Sequence, residues 1–130
     1  MKSTELRIGN LVDLGNRIAK VIDIGHLSCT VVDLEETQDT LEDYERTQGI
    51  PLTEEWLEKF GFNIKDKDRL DWVKGAFNLE RSNEDNTKFC FEVYSHYIPL
   101  DYVHQLQNLY FALTGEELES KIREQNRNDE

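Results

Sequence analysis

An α+β fold is predicted, and three observations predict it. Residues 6–34 hold three short runs rich in Val, Ile and Leu, separated by the turn pairs Gly15-Asn16 and Gly25-His26. Residues 72–98 alternate aromatic and polar side chains on either side of a polar cluster at 82–86. Residues 101–118 carry apolar side chains at helical spacing. Strands first, helix last, with too little chain for crossovers, is the pattern of antiparallel sheet covered by helix.

The first strands are expected at 10–14, 17–24 and 27–34, a small antiparallel β-meander. In the middle one, Ile18, Ile22 and Ile24 share parity with Lys20 while Ala19 and Val21 take the other, so neither face is purely polar. A bent sheet of the SH3-like, partial-barrel kind accommodates such a strand. Residues 35–49 lose the periodicity and read as an acidic loop with room for a short strand near its end. Leu41 and Tyr44, three apart, are only a hint of helix.

Residues 50–62, IPLTEEWLEKFGF, form a short helix with punctuation at both ends. Thr53 is placed to cap the first turn, and Glu54 and Glu55 sit where the helix dipole favours carboxylates. Leu52 can staple onto Leu57. Gly61 supplies the left-handed exit, with Phe62 folding back on Leu57. A connection is expected at 63–71, then a hairpin of strands 72–81 and 87–98 whose Phe89, Phe91 and Val93 face the long helix.

That helix spans 101–118, with Asp101 as its cap and Thr114-Gly115 as its exit. Its apolar face is read from Tyr102, Val103, Leu106, Leu109, Tyr110 and Leu113. Thr114-x-x-Glu117 has capping-box spacing, so a further helical segment is expected to about Arg123, with 125–130 frayed. The expected division is a β-lobe with acidic loop at 1–48, a helix, hairpin and long-helix lobe at 49–124, and the tail.

Two Trp, five Tyr and six Phe in 130 residues indicate a folded chain although 32% of residues are charged. No apolar run reaches the roughly 18 residues of a membrane helix, and Met1 to Arg7 is not a signal peptide. A soluble cytoplasmic protein with Cys29 and Cys90 reduced is expected. Of the net charge of −12, −9 falls in residues 33–58, which hold ten acids and one base, Arg46. Such a field disfavours nucleic acid and anionic membrane and favours a basic protein surface. The candidate partner-binding residues are Glu35, Glu36, Asp39, Glu42, Asp43 and Glu45. The plain alternative is that these acids only keep the protein soluble.

Catalytic constellations are not found. Cys90 and His96 would lie about 20 Å apart along one strand at 3.3 Å per residue. His26 and Cys29 offer two metal ligands where three or four are needed. His104 lies off the main apolar stripe and reads as a boundary residue. Asp66, Asp68 and Asp71 match only part of a calcium loop, without its glycine or terminal Glu, and read as a solvated linker. The seven glycines are isolated, so no phosphate loop is present. No enzyme activity, metal or cofactor is expected.

Three strings, ELRIGNLV (5–12), IPLTEEWLEKFGF (50–62) and YVHQLQNLYFALTGEEL (102–118), resemble those of an uncharacterised family of small proteins of phages, prophages and mobile elements of the Bacteroidota. They cover 38 of the 130 residues in the same order. The resemblance implies a phage or mobile-DNA origin and the host cytoplasm, and brings no catalytic residue or cofactor. Small non-enzymatic phage proteins as a class often disable host proteins. The expected function is therefore a binding protein that inhibits a host defence or nucleic-acid enzyme, anti-CRISPR-like against an RNA-guided nuclease, through its acidic surface. The alternative is a structural or accessory phage protein whose SH3-like lobe binds another phage protein.

Overall fold

The computed structural model describes residues 1–34, 38–66, 71–81, 88–93 and 95–119. It is a mixed α+β protein with two antiparallel sheets, one short helix and one longer C-terminal helix. The chain divides into two compact units, Met1–Ile50 with Tyr102–Glu117, and Pro51–Asp101 with the segment from Leu118 onward.

The first unit contains a four-stranded meander, β1 (Leu11–Asp13), β2 (Ile18–Ile24), β3 (Ser28–Asp33) and β4 (Asp39–Asp43), in that order across the sheet. The expected turns are present. Gly15 has φ +96° and its N–H donates to Asp13 Oδ1 at 2.8 Å, while Gly25 N donates to Ser28 O at 2.8 Å. β4 lies within the stretch read from sequence chiefly as a loop. It is held by continuous pairing with β3, from Ser28 opposite Asp43 to Val32 opposite Asp39.

Strand β2 is bulged between Val21 and Asp23. The extra residue reverses parity, so Ile24 joins Ala19 and Val21 on the inner face, and Asp23, which strict alternation would bury, is turned to solvent. The core of this face is Leu6, Val12, Ala19, Val21, Cys29, Val31 and Tyr44, with Met1, Leu14 and Ile24 packed against it. Tyr44 follows β4 in the 3-10 turn Tyr44–Arg46 and donates from its hydroxyl to Gly25 O at 2.6 Å. It is a core residue, not part of a helix with Leu41.

Helix α2 (Val103–Thr114) falls in this unit, whereas the sequence grouped it with the hairpin. Polar side chains tie it there. Gln107 and Asn108 bind the segment from Glu5 to Leu11: Leu11 N donates to Gln107 Oε1 at 2.8 Å, Gln107 Nε2 to Gly9 O at 3.2 Å, and Asn108 Nδ2 to Glu5 O at 3.1 Å. Apolar periodicity says that a helix has a sheet to cover, not which sheet. The buried face is Val103, His104, Leu106, Gln107 and Tyr110, whereas Tyr102 and Leu113 are exposed.

The ends of α2 also refine expectation. The cap is Tyr102, one residue beyond Asp101, and its N–H donates to Gln105 Oε1 at 3.1 Å. Gly115, at φ +76°, ends the helix as expected, its N–H donating to Phe111 O at 2.8 Å. Thr114 Oγ1 donates back to Tyr110 O at 2.7 Å and accepts from Glu116 N at 3.1 Å, and the chain through Glu119 is not helical. The rest of the further helical segment lies outside the described residues.

The second unit holds α1 (Glu54–Lys59) and a five-stranded meander, β5 (Asn63–Asp66), β6 (Asp71–Lys74), β7 (Phe77–Arg81), β8 (Phe89–Val93) and β9 (His96–Leu100). Both ends of α1 follow the local signals. Trp56 N donates to Thr53 Oγ1 at 3.3 Å. Gly61, at φ +91°, lets Phe62 N reach Leu57 O at 2.9 Å and Gly61 N reach Glu58 O at 3.0 Å, the two bonds of a Schellman exit. Lys74 Nζ on Phe60 O and the ion pair Arg81–Glu54 tie α1 to its sheet.

Strand boundaries here differ from the two long strands expected. Residues 63–66 are a strand and not a connection, 72–81 is divided between β6 and β7 by a turn at Gly75 (φ +60°), and 87–98 between β8 and β9 by a turn at Ser95 (φ +68°). Each reversal adds an antiparallel neighbour, which a short sheet needs for stability. Residues 82–86, expected as the hairpin turn, lie outside the described residues. Phe77 stacks on Phe91 with centroids 4.7 Å apart, and Arg81 lies 5.4 Å over the Phe89 ring. Trp72, Leu79, Phe89 and Leu100 are buried with them.

Candidate protein-binding surface

The acids singled out in the sequence are sorted by the pleat of β4. Asp39, Leu41 and Asp43 project from one face of the first sheet and Thr40 and Glu42 from the other, because side chains alternate along a strand. Glu42, half-buried, stands opposite Cys29 on the inner face. Glu45 is exposed on the 3-10 turn that follows. Glu35 and Glu36 lie outside the described residues.

On the outer face, Thr30 is paired with both Leu41 and Asp23, so Asp23, Thr30 and Leu41 form one row across three strands. The next row is Leu11, Lys20, Val32 and Asp39. At the β1 end this face is buried, at Leu11 and Val32; toward β4 it is open. Leu41 is 72% exposed and Leu27, in the turn before β3, is 78% exposed. No ion pair joins Asp23, Asp39 or Asp43 to a base among the described residues. Asp39 and Asp43 therefore flank an exposed leucine along β4, and Asp23 lies two strands away in the same row. Asp23 was missed in the sequence because an acid at core parity in an apolar strand is the signature of a bulge, and it was read as ordinary alternation.

The two edges of this sheet are treated differently by the chain. At β1, Asp13 N donates to Gln48 O and Gln48 N to Asp13 O, both at 2.9 Å. The Gln107 amide meets Leu11 N and Gly9 O, as the peptide group of a neighbouring strand would. That edge is occupied. β4 has a strand partner on one side only among the described residues.

A polar clip lies around α2. Asn10, fully buried, accepts from Arg7 N at 2.7 Å and donates to Asn108 Oδ1 at 2.8 Å. Arg7 also donates to Asn108 Oδ1 at 3.1 Å, pairs with Glu117 and lies 4.0 Å over the Phe111 ring. These residues come from the segments 5–12 and 102–118. Their side chains are spent on each other, a structural and not a chemical role.

The residues considered for chemistry are dispersed. Cys29 and Cys90 are free, buried thiols, and burial is the main cause that raises the pKa of each. Cys90 and His96 are not on one strand, since His96 opens β9 and pairs with Val93 across the turn. His104 is not a boundary residue: it is buried, its Nδ1 has no hydrogen-bond partner among the described residues, and burial lowers its pKa. Asp66 pairs with Asp71 between β5 and β6, and Asp68 lies outside the described residues. Among the described residues no group of three or more His, Cys, Asp or Glu could hold a metal ion, and no helix is long and apolar enough to cross a membrane.

No protein-family model, curated protein or solved structure matches the chain.

Proposed function

We propose that this protein is a non-enzymatic binding module that presents the acidic β4 end of its first sheet to a basic protein surface. The observation that carries the reading is the outward placement of Asp39 and Asp43 beside the exposed Leu41, with Asp23 in the same row two strands away, and with no ion pair to neutralise them among the described residues. Carboxylates held in this way attract a cationic groove and repel phosphate, and an exposed leucine among them adds apolar area at the centre of the contact. The resemblance to small phage and mobile-element proteins of the Bacteroidota supports a host target. An enzyme whose basic channel normally holds nucleic acid, such as an RNA-guided nuclease, has the complementary surface, and occupation of that channel is inhibition in the host cytoplasm. The meander with its bulged β2 supports a bent, SH3-like lobe as the carrier of this surface.

The test is cleavage of target DNA by RNA-guided nucleases of Bacteroidota hosts, with and without the protein, at low and high salt. Inhibition that weakens as salt rises is expected, since exposed charges are screened over about 8 Å at physiological ionic strength. Asp23→Asn, Asp39→Asn and Asp43→Asn together should abolish most of it, chiefly by slowing association. Inhibition that is indifferent to salt and to the triple change would refute the acidic-surface reading.

A further inference from the structure

We propose that the free edge of β4 binds an extended, basic segment of a partner protein as an added strand of the first sheet. This rests on the acidic-surface reading above and says how the surface is used. The carrier is the backbone. Asp33 N donates to Gln38 O at 3.3 Å, which sets the phase of the β3–β4 ladder. Alternation along an antiparallel pair then turns the peptide groups of Thr40 and Glu42 toward β3 and those of Asp39, Leu41 and Asp43 outward. Asp43 O is taken by Thr47 Oγ1 at 3.1 Å. The N–H and C=O of Asp39 and Leu41 and the N–H of Asp43 have no strand partner among the described residues.

Edges left in this state are normally blunted by charged side chains, Lys above all, by Pro, by an inward-pointing charge or by a bulge. β4 has no Lys, Pro or bulge, and the charges that guard it, Asp39, Asp43 and the inward Glu42, are all acidic: its sequence is Asp-Thr-Leu-Glu-Asp and its pairing with β3 has no irregularity. The opposite edge, by contrast, is filled by Gln48 and Gln107. The acids guard the β4 edge against another acidic strand and so select what can pair with it. A second copy added antiparallel about Leu41 would set Asp39 directly against Asp43 twice, and like charges directly opposite are unfavourable. A strand that carries bases instead gains cross-strand ion pairs.

The geometry also gives the spacing in the partner. On the outer face an added strand meets Asp39, Leu41 and Asp43, so its facing side chains at alternate positions should be basic, apolar and basic. On the inner face a base should stand opposite Glu42. A capped peptide built around Lys-Arg-Val-Thr-Lys satisfies this antiparallel to β4 and is the probe.

Peptide binding is read by fluorescence anisotropy, and strand addition by amide hydrogen exchange of the intact protein. The Asp39 and Leu41 amides are expected to become protected when peptide is added, while exchange of Thr40 and Glu42, already bonded to β3, changes little. Leu41→Pro removes an outward N–H without touching the β3 ladder and should abolish binding. Asp39→Asn with Asp43→Asn should weaken it about tenfold and flatten its salt dependence. Binding that depends on the two aspartates but leaves the Asp39 and Leu41 amides unprotected, or survives in a folded Leu41→Pro, overturns strand addition and leaves the acidic surface standing. No salt-dependent binding of the peptide at all overturns both. Protection of the edge amides in wild type decides the matter if Leu41→Pro does not fold.

Discussion

The ring of Tyr102 lies against that of His104, centroids 5.8 Å apart and planes 16° from parallel, and the pair closes over Gly49. A Cβ at position 49 would stand 2.7 Å from Tyr102 Cδ1 and 3.1 Å from His104 Cε1, too close for either ring to remain where it is. Gly49 is thus required for its size. Gly49→Ala should lower stability by about 1–3 kcal/mol, the cost of overpacking a filled site. A denaturant melt with an unchanged midpoint would show that the ring stack yields freely.

His104 gives the protein a pH dependence of definite sign. Burial lowers its pKa below the ordinary 6.5, with Glu5 opposing in the other direction. The unfolded chain therefore binds this proton more readily than the folded one, and the stability linked to His104 is full above pH 6.5 and lost as pH falls through the interval down to the folded value. The slope within that interval approaches about 1.4 kcal/mol per pH unit. Melts from pH 8 to pH 5 should show it as a difference between wild type and His104→Leu. Parallel curves for the two proteins would contradict it.

Leu106 and Leu113 lie on the same expected apolar face of α2 but have opposite fates. Leu106 is fully buried and Leu113 is 53% exposed. Leu106→Ala should cost about 2–5 kcal/mol. Leu113→Ala should change stability by less than about 0.5 kcal/mol. Equal losses in urea melts would mean that both leucines are covered.

The Gln107 amide is the joint between α2 and β1. Gln107→Ala leaves Leu11 N–H and Gly9 C=O without partners, and about 1–3 kcal/mol of stability should go with it. Gln107→Glu keeps the acceptor for Leu11 but sets a carboxylate against the Gly9 carbonyl. It should be at least as damaging at neutral pH and recover in part on acidification, when the protonated acid can donate again. Amide exchange at Leu11 reports the joint directly, and an unaltered rate in Gln107→Ala would exclude the role.

Much of the local architecture was legible from short stretches. The start of α1 at Thr53, its exit at Gly61, the end of α2 at Gly115 and the turns at Gly15 and Gly25 are all made by groups within five residues of one another. Caps and turns satisfy backbone groups locally, so their residue types announce them. The acid-rich stretch was legible as charge, and the outward placement of Asp39 and Asp43 follows once β4 is a strand. What only the tertiary structure decided depends on partners far along the chain. β4 and β5 have little apolar periodicity of their own and become strands because β3 and β6 pair with them. The bulge at Ile22, which turns Asp23 outward and Ile24 inward, is a property of the β2–β3 register. α2 is tied to β1 by Gln107 meeting Leu11 across 96 positions, a hydrogen bond between a helix side chain and a strand backbone that no periodicity in either segment can reveal.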